Sequence, residues 1–181
     1  VHEAGLVLDS RPTSGEQGAL WGFDASRTVI PVMEVMNRAS LTYPQVLMLL
    51  QCEWLTPTGD PRLHLERPAD SADLRAQTLR AVTPAVLDRL HRFLRLSRHT
   101  PWDVWELDLL LRADRLAQST LNEAGLSALR AAAMVAERLR LSPEQLATWF
   151  GTVPTSGRPD PTDPSELQSA APSRYAVTFG A

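Results

Sequence analysis

The chain has 181 residues, 44% apolar and 22% charged, which are the proportions of one ordinary globular domain with or without tails. Its 18 basic and 21 acidic residues give a net charge of −3, which argues against nucleic acid or an anionic membrane surface as an electrostatic partner. The single cysteine, Cys52, excludes an internal disulfide framework and a cysteine-based zinc cluster. Because Cys52 lies in an apolar helical stretch, we expect a buried and unreactive thiol.

The two ends of the chain differ in composition from its middle. Residues 1–20 have weak periodicity and a Ser-Gly cluster, which predicts a loosely ordered entry segment. The opening VHEAG carries neither an initiator Met nor a signal segment, and we interpret the chain as a fragment of a longer protein. Residues 152–181 are predicted to be a Pro/Ser-rich tail, whose closing RYAVTFGA is compatible with an extended strand. The helical domain is expected between them, over residues 21–151.

Helix-start signals divide this middle region. They predict helices near residues 29–39, 43–53, 84–98, 101–113, 121–140 and 143–150. In four of them a hydroxyl residue is the predicted N-cap and a proline follows in the first turn, where its missing N–H costs nothing. These caps are Thr42, Thr83, Thr100 and Ser142. For the helix near 121–140 either Thr120 or Asn122 could be the cap, and Gly151 stands where a left-handed C-cap would end the last helix.

Residues 62–82 have a different pattern from the helical segments around them. Residues 62–66 alternate between polar and apolar side chains, and residues 77–82 have a strand-like composition. We therefore expect a small β-hairpin in this region. The fold class predicted for the whole chain is all-α, a compact array of about six helices with this hairpin as an excursion.

The densest apolar stretch is LDRLHRFLRLSRHTPWDVWELDLLL, residues 87–111. Its predicted core residues are Leu87, Leu90, Phe93, Leu94, Trp102, Trp105 and Leu109. On the second of its two helices apolar side chains occupy opposed sides, a pattern typical of a helix inside a multi-helix stack. The acidic residues of that helix are predicted to form a solvated or salt-bridged edge beside the arginine-rich helix before it. They are Asp103, Glu106 and Asp108.

The sequence predicts no catalytic, cofactor or metal site. The four histidines, at positions 2, 64, 91 and 99, have no partner at metal-ligand spacing, and no catalytic or nucleotide-binding motif is present. An enzyme with an unfamiliar site around His91 and Glu106 is the least favoured alternative. The arginines from Arg89 to Arg98 rotate around their helix, which argues against a nucleic-acid interface. The tryptophans at positions 21, 54, 102, 105 and 149 are interpreted as core anchors rather than as a sugar-binding set.

Several motifs occur in a characteristic order. LTYPQVLMLLQ at residues 41–51 runs on to Leu-Thr-Pro at 55–57, and LDRLHRFLRL at 87–96 is followed by WDVWELD at 102–108. A helix at 126–141 and then SPEQLATWF at 142–150 complete the series. Together these motifs resemble the A subunits of Tc (toxin complex) insecticidal toxins and the related Salmonella virulence plasmid A-like proteins. The resemblance covers roughly residues 20–153.

The resemblance implies an α-helical shell segment of a very large, bell-shaped and pentameric subunit. In such subunits the shell protects a translocation channel until a pH change opens it, and the channel then injects a toxic enzyme. It implies a non-enzymatic structural role in virulence and a secreted or cell-surface location. The implied partners are other domains of the same subunit and the other toxin-complex subunits, with membrane contact only through other parts of the parent protein. A generic helical protein–protein interaction module is the alternative.

Overall fold

A computed structural model describes residues 29–56, 59–68, 73–113, 116, 121–151, 153–154, 157–158 and 173–180. The entry segment 1–20, Trp21 and Thr120 lie outside the described residues. Along the chain the elements are β1 (Ile30–Pro31), α1 (Val32–Ala39), α2 (Tyr43–Gln51), β2 (His64–Glu66), a 3-10 turn (Leu74–Ala76), β3 (Thr78–Arg80), α3 (Pro84–Ser97), α4 (Val104–Arg112), α5 (Glu123–Leu139), α6 (Pro143–Phe150) and α7 (Arg174–Phe179). The described part is mostly helical, but it also contains a small sheet. The predicted all-α class is therefore correct in that helices dominate, and wrong in that the fold is mixed.

The small sheet has three antiparallel strands in the order β1-β3-β2. Strands β2 and β3 pair through Leu65 and Leu79, which confirms the hairpin predicted for residues 62–82. Strand β1 was predicted to be part of the first helix, and this prediction is wrong. A strand of two residues has no detectable period, and its position is set by pairing with β3, with the Val32 N–H donating to the carbonyl of Gln77 at 3.1 Å.

The helix starts follow the predicted capping chemistry at most positions. The hydroxyl of Thr83 accepts from the N–H of Val86, and Ser142 and Gln145 form a reciprocal capping box at the start of α6. Thr42 is the N-cap of α2, and its N–H donates to Oε1 of Gln45 at 2.8 Å. Asn122, one of the two predicted alternatives, is the N-cap of α5.

Thr100 is not a helix cap, which corrects that prediction. Helix α4 begins three residues later, where Asp103 accepts from the N–H of Glu106 and the carboxylate of Glu106 accepts from the N–H of Asp103. This box satisfies two donors with charged acceptors, which are stronger than a hydroxyl. The Thr100 hydroxyl is instead buried and has no hydrogen-bond partner among the residues that the structure describes.

One hydrophobic core connects the sheet with helices α1 to α6. Helix α4 lies at its centre, because five consecutive residues, 107–111, are all buried, and it packs most extensively against α6. This burial confirms that α4 is enclosed by neighbours. The predicted side-by-side charge pairing of α3 with α4 is wrong, since within the described residues no ion pair joins them: Arg92 pairs with Asp88 on its own helix, and Arg98 donates to the carbonyl of Ala39.

The chain after α6 departs from the predictions in two respects. Gly151 has φ −149° and ψ −144°, so it is not a left-handed C-cap. A Cβ there would lie 3.1 Å from the Cα of Ala113, so glycine is favoured at this position by close packing with the Ala113 backbone rather than by backbone conformation. The RYAVTFGA segment forms helix α7 instead of a strand, with Ser173 as N-cap and Gly180 as left-handed C-cap. Parts of the predicted tail also pack on the body, because Arg158 pairs with Asp103.

Candidate functional site

The predicted core residues are unequally buried. Leu87, Leu90, Phe93, Leu94 and Leu109 are buried, whereas Trp102 and Trp105 are only partly buried against the core. Trp102 precedes α4 rather than lying on it. Of the other tryptophans, Trp54 is buried and Trp149 is 56% exposed, so the interpretation as core anchors fits Trp54 and is wrong for Trp149.

The turn after α2 is held by groups from two helices, and we call this arrangement the Trp54 junction. From α3, the guanidinium of Arg89 donates to the carbonyl of Trp54 at 2.7 Å and lies 5.3 Å from the centre of the indole ring. The ring of Phe93 packs at a centroid distance of 6.1 Å from the same indole. From α4, the carboxylate of Asp108 accepts the Trp54 N–H at 2.9 Å. Both polar groups of the Trp54 backbone are thus satisfied inside the core.

Asp108 is 3% exposed, so of the two predicted alternatives the solvated edge is wrong, whereas a salt bridge is present. Its second carboxylate oxygen lies 3.5 Å from Arg112, which also pairs with Glu53 at 2.6 Å. The signal that could have found this burial is the run Leu107–Leu111. Every residue of this run except Asp108 is a leucine, so the helix offers no apolar-free face to water there, and the carboxylate must take its partners from the protein.

Burial sets the electrostatics of the junction. Desolvation raises the pKa of Asp108 above its usual value, although the hydrogen bond from the Trp54 N–H and the charge of Arg112 oppose this shift. Desolvation, together with the nearby charge of Asp108, also raises the pKa of the Cys52 thiol well above its ordinary value. Cys52 therefore stays protonated near neutral pH and has little nucleophilic character.

The geometry brings no catalytic set together around His91 and Glu106. Glu106 is engaged in the cap of α4, and within the described part no hydrogen bond or ion pair joins it to His91. Burial lowers the pKa of His91, and the charge of Arg95 lowers it further, which favours the neutral ring. No group of three or more His, Cys, Asp or Glu side chains among the described residues is arranged to hold a metal ion. None of the described helices is both long and apolar enough to cross a bilayer.

The surface offers a different candidate site, on the three last helices. The large apolar side chains that the described residues expose to solvent are Met134, Val135, Leu139, Trp149, Tyr175 and Val177. We call these six residues the exposed apolar set. All of them lie on α5, α6 and α7, and none comes from the sheet or from α1 to α4. On α5, Val135 and Leu139 are one helical turn apart and Met134 is next to Val135, so these three side chains form one continuous exposed apolar surface. Contiguous apolar surfaces of this kind are typical of sites that other proteins cover.

Comparison of the chain with known protein families, with curated proteins and with solved structures found no match. The resemblance to toxin A subunits therefore depends on the motifs in residues 41–57, 87–108 and 126–150.

Proposed function

We propose that this chain is a non-enzymatic helical scaffold that packs against other protein, as a shell segment of a Tc-type toxin A subunit. In this function the domain supplies a rigid layer and docking surfaces rather than chemistry. The delivery of a toxic cargo belongs to the whole assembly. Its partners are then the other domains of the same subunit and the other subunits of the toxin complex.

The location of the exposed apolar set is the observation that carries this proposal. Val135 and Leu139 on α5 are 38% and 55% exposed, whereas Leu129 and Ala132 on the same helix are buried. Burying a large apolar side chain completely contributes about 1.5–3 kcal/mol relative to leaving it in water. A protein partner that covers these side chains would gain this free energy on docking. The Trp54 junction suits the same role. Its turn is hydrogen-bonded to both α3 and α4, which opposes sliding of these two helices past each other.

The motif series favours a toxin shell over a generic interaction module. It comprises a capped helix after Thr42, the α3–α4 stretch and the α5–α6 pair in one order. A generic module with the same exposed apolar set is the second candidate, and it requires neither the order nor the large parent subunit.

Negative-stain electron microscopy of the full natural protein that carries this sequence tests the proposal. Bell-shaped particles with five-fold symmetry and a central channel would support the shell function. Small particles without a channel would exclude it and leave the interaction module as the function. As a control, the parent protein is imaged once with the cargo-carrying partner subunits and once without them. Both samples should contain the same shell, because on this proposal the shell assembles from the A subunit alone.

A further inference from the structure

The exposed apolar surface near the C-terminus of α5 has a cation inside it. This surface consists of Met134, Val135 and Leu139, and we call it the α5 patch. Arg138 follows Met134 by four residues and Val135 by three, so it lies beside both on the helix, and Leu139 comes directly after it. Any partner that covers the α5 patch therefore also covers or borders the guanidinium of Arg138.

The charge of Arg138 restricts the chemistry of that partner. Arg138 and the neighbouring Arg140 are both exposed, and neither makes an ion pair with another residue that the structure describes. Taking an unpaired cation out of water carries a large free-energy penalty, which a carboxylate in contact with it offsets. The α5 patch thus fits a surface that combines large apolar side chains with carboxylates, and it disfavours a purely apolar or a basic one.

The shape of the exposed face indicates a helix as the covering element. From the α5 patch toward the N-terminus, the residues on the same side as Arg138 are Ala131, Ser127 and Ala124, which are exposed and short. Short side chains allow a second helix to approach α5 closely. The face from residue 124 to residue 139 is about 22 Å long at about 1.5 Å per residue, which matches a partner helix of about four turns.

The charges at the two ends of α5 favour an antiparallel partner helix. Arg138 is in the last turn and Arg140 is the C-cap, whereas Glu123 is in the first turn. Acidic residues are most favourable in the first turn of a helix, where the macrodipole is positive. A partner helix that begins beside the C-terminus of α5 would bring such residues against both arginines, and the two helix dipoles would then oppose each other favourably.

We propose that an acidic amphipathic helix from another domain of the same subunit covers the α5 patch, antiparallel to α5, with carboxylates of its first turn on Arg138 and Arg140. The inference rests on the proposed function, because it gives the chemistry of one partner of the shell segment. The two surfaces differ and belong to one subunit. The contact therefore repeats once in each subunit and is compatible with a five-fold ring.

Two probe peptides test the charge preference on the chain itself. Both are amphipathic helices of about 16 residues with leucines along one face. One has glutamates in its first turn and the other has lysines at the same positions. In fluorescence anisotropy the glutamate peptide should bind at least about tenfold more tightly than the lysine peptide, and Arg138→Glu should reverse this order.

The matched control is Arg95→Glu, which reverses an exposed arginine in the last turn of α3 and should leave the preference unchanged. Both substitutions put an acid in the last turn of a helix, so their effects on stability are matched. Equal affinity for the two peptides, including no binding of either, would overturn the inference. A preference that Arg95→Glu abolishes as fully as Arg138→Glu would do the same.

Photocrosslinking in the full natural protein identifies the partner. A benzophenone amino acid in place of Met134 should crosslink to a segment of the same subunit whose sequence has acidic residues followed by apolar residues at helical spacing. Crosslinking to any other segment, including α5 of a second copy, or to none would overturn the inference. If such a protein still gave bell-shaped particles, the proposed function would stand without this docking. Small particles with the expected crosslink would exclude the shell function and leave the acidic helix as the partner.

Discussion

Replacing Asp108 tests whether its carboxylate holds the turn after α2. Asp108→Ala removes the acceptor for the Trp54 N–H, a hydrogen bond of 2.9 Å inside the core. Asp108→Asn keeps an acceptor oxygen at that place. Both substitutions remove the negative charge, so both relieve the same desolvation of a buried carboxylate. The difference in stability between the two variants therefore isolates the hydrogen bond to Trp54.

The expected difference follows from the groups left behind. A buried backbone N–H without an acceptor costs about 1–3 kcal/mol, so the alanine variant should be less stable than the asparagine variant by about 2 kcal/mol. Both variants also lose the ion pair between Asp108 and Arg112. This loss contributes little to the free energy of unfolding, because the Arg112 side chain is 37% exposed and keeps its pair with Glu53. For a chain of this length the difference corresponds to about 4–8 °C in melting temperature.

Urea unfolding followed by far-ultraviolet circular dichroism measures this difference as a shift in midpoint at constant slope. The matched control compares Glu137→Ala with Glu137→Gln on the exposed surface of α5, where we expect the two variants to agree within about 0.5 kcal/mol. If the Asp108 variants agreed as closely as the Glu137 variants, the hydrogen bond to Trp54 would not be what fixes the turn.

The pH dependence of the same comparison has a definite sign. Because burial raises the pKa of Asp108, the folded chain binds this proton more tightly than the unfolded chain. Its contribution to the free energy of unfolding is fully present below about pH 3.9, the unfolded pKa, and is lost as the pH rises through the folded value. The original chain should therefore gain stability relative to Asp108→Asn as the pH falls from about 7 to about 4. A relative loss over this range would contradict the assignment.

Four further substitutions have clear expectations. Phe93→Ala should cost about 3–5 kcal/mol in free energy of unfolding and Trp102→Ala less, because Phe93 is fully buried and Trp102 is not; equal melting temperatures would contradict this order. Gly151→Ala should cost about 1–3 kcal/mol in urea unfolding, since its Cβ would meet the Ala113 backbone at 3.1 Å. Ala81→Gly should raise the free energy of unfolding by about 1 kcal/mol in the same assay, because Ala81 has φ +61°.

Local chemistry allowed most helix starts to be predicted. A cap needs only a side chain and the N–H groups of the next turn, which is why Thr83 and Ser142 could be identified from the sequence. Thr100 is followed by a proline in the same way but does not cap a helix, because Asp103 and Glu106 form a stronger cap three residues later. Competing local signals of this kind can be ranked only when their energies are compared.

The candidate sites depend on neighbours that are distant in the chain, and this is why the sequence did not predict them. The burial of Asp108 requires the turn at Trp54, which is 54 residues away. Similarly, helical periodicity identifies two apolar faces on α5 but cannot tell which one the core covers. That choice is made by α6 and the rest of the core, so the exposure of Leu139 became known only from the packed chain.

The position of Cys52 makes the Trp54 junction accessible to kinetic measurement. The thiol is 4% exposed, next to the turn held by Asp108, and it is the only cysteine in the chain. A water-soluble thiol reagent can reach it only after the turn has left α4. The rate of labelling in native conditions thus counts openings of this one junction, and comparison with global unfolding would show whether the layer opens there first.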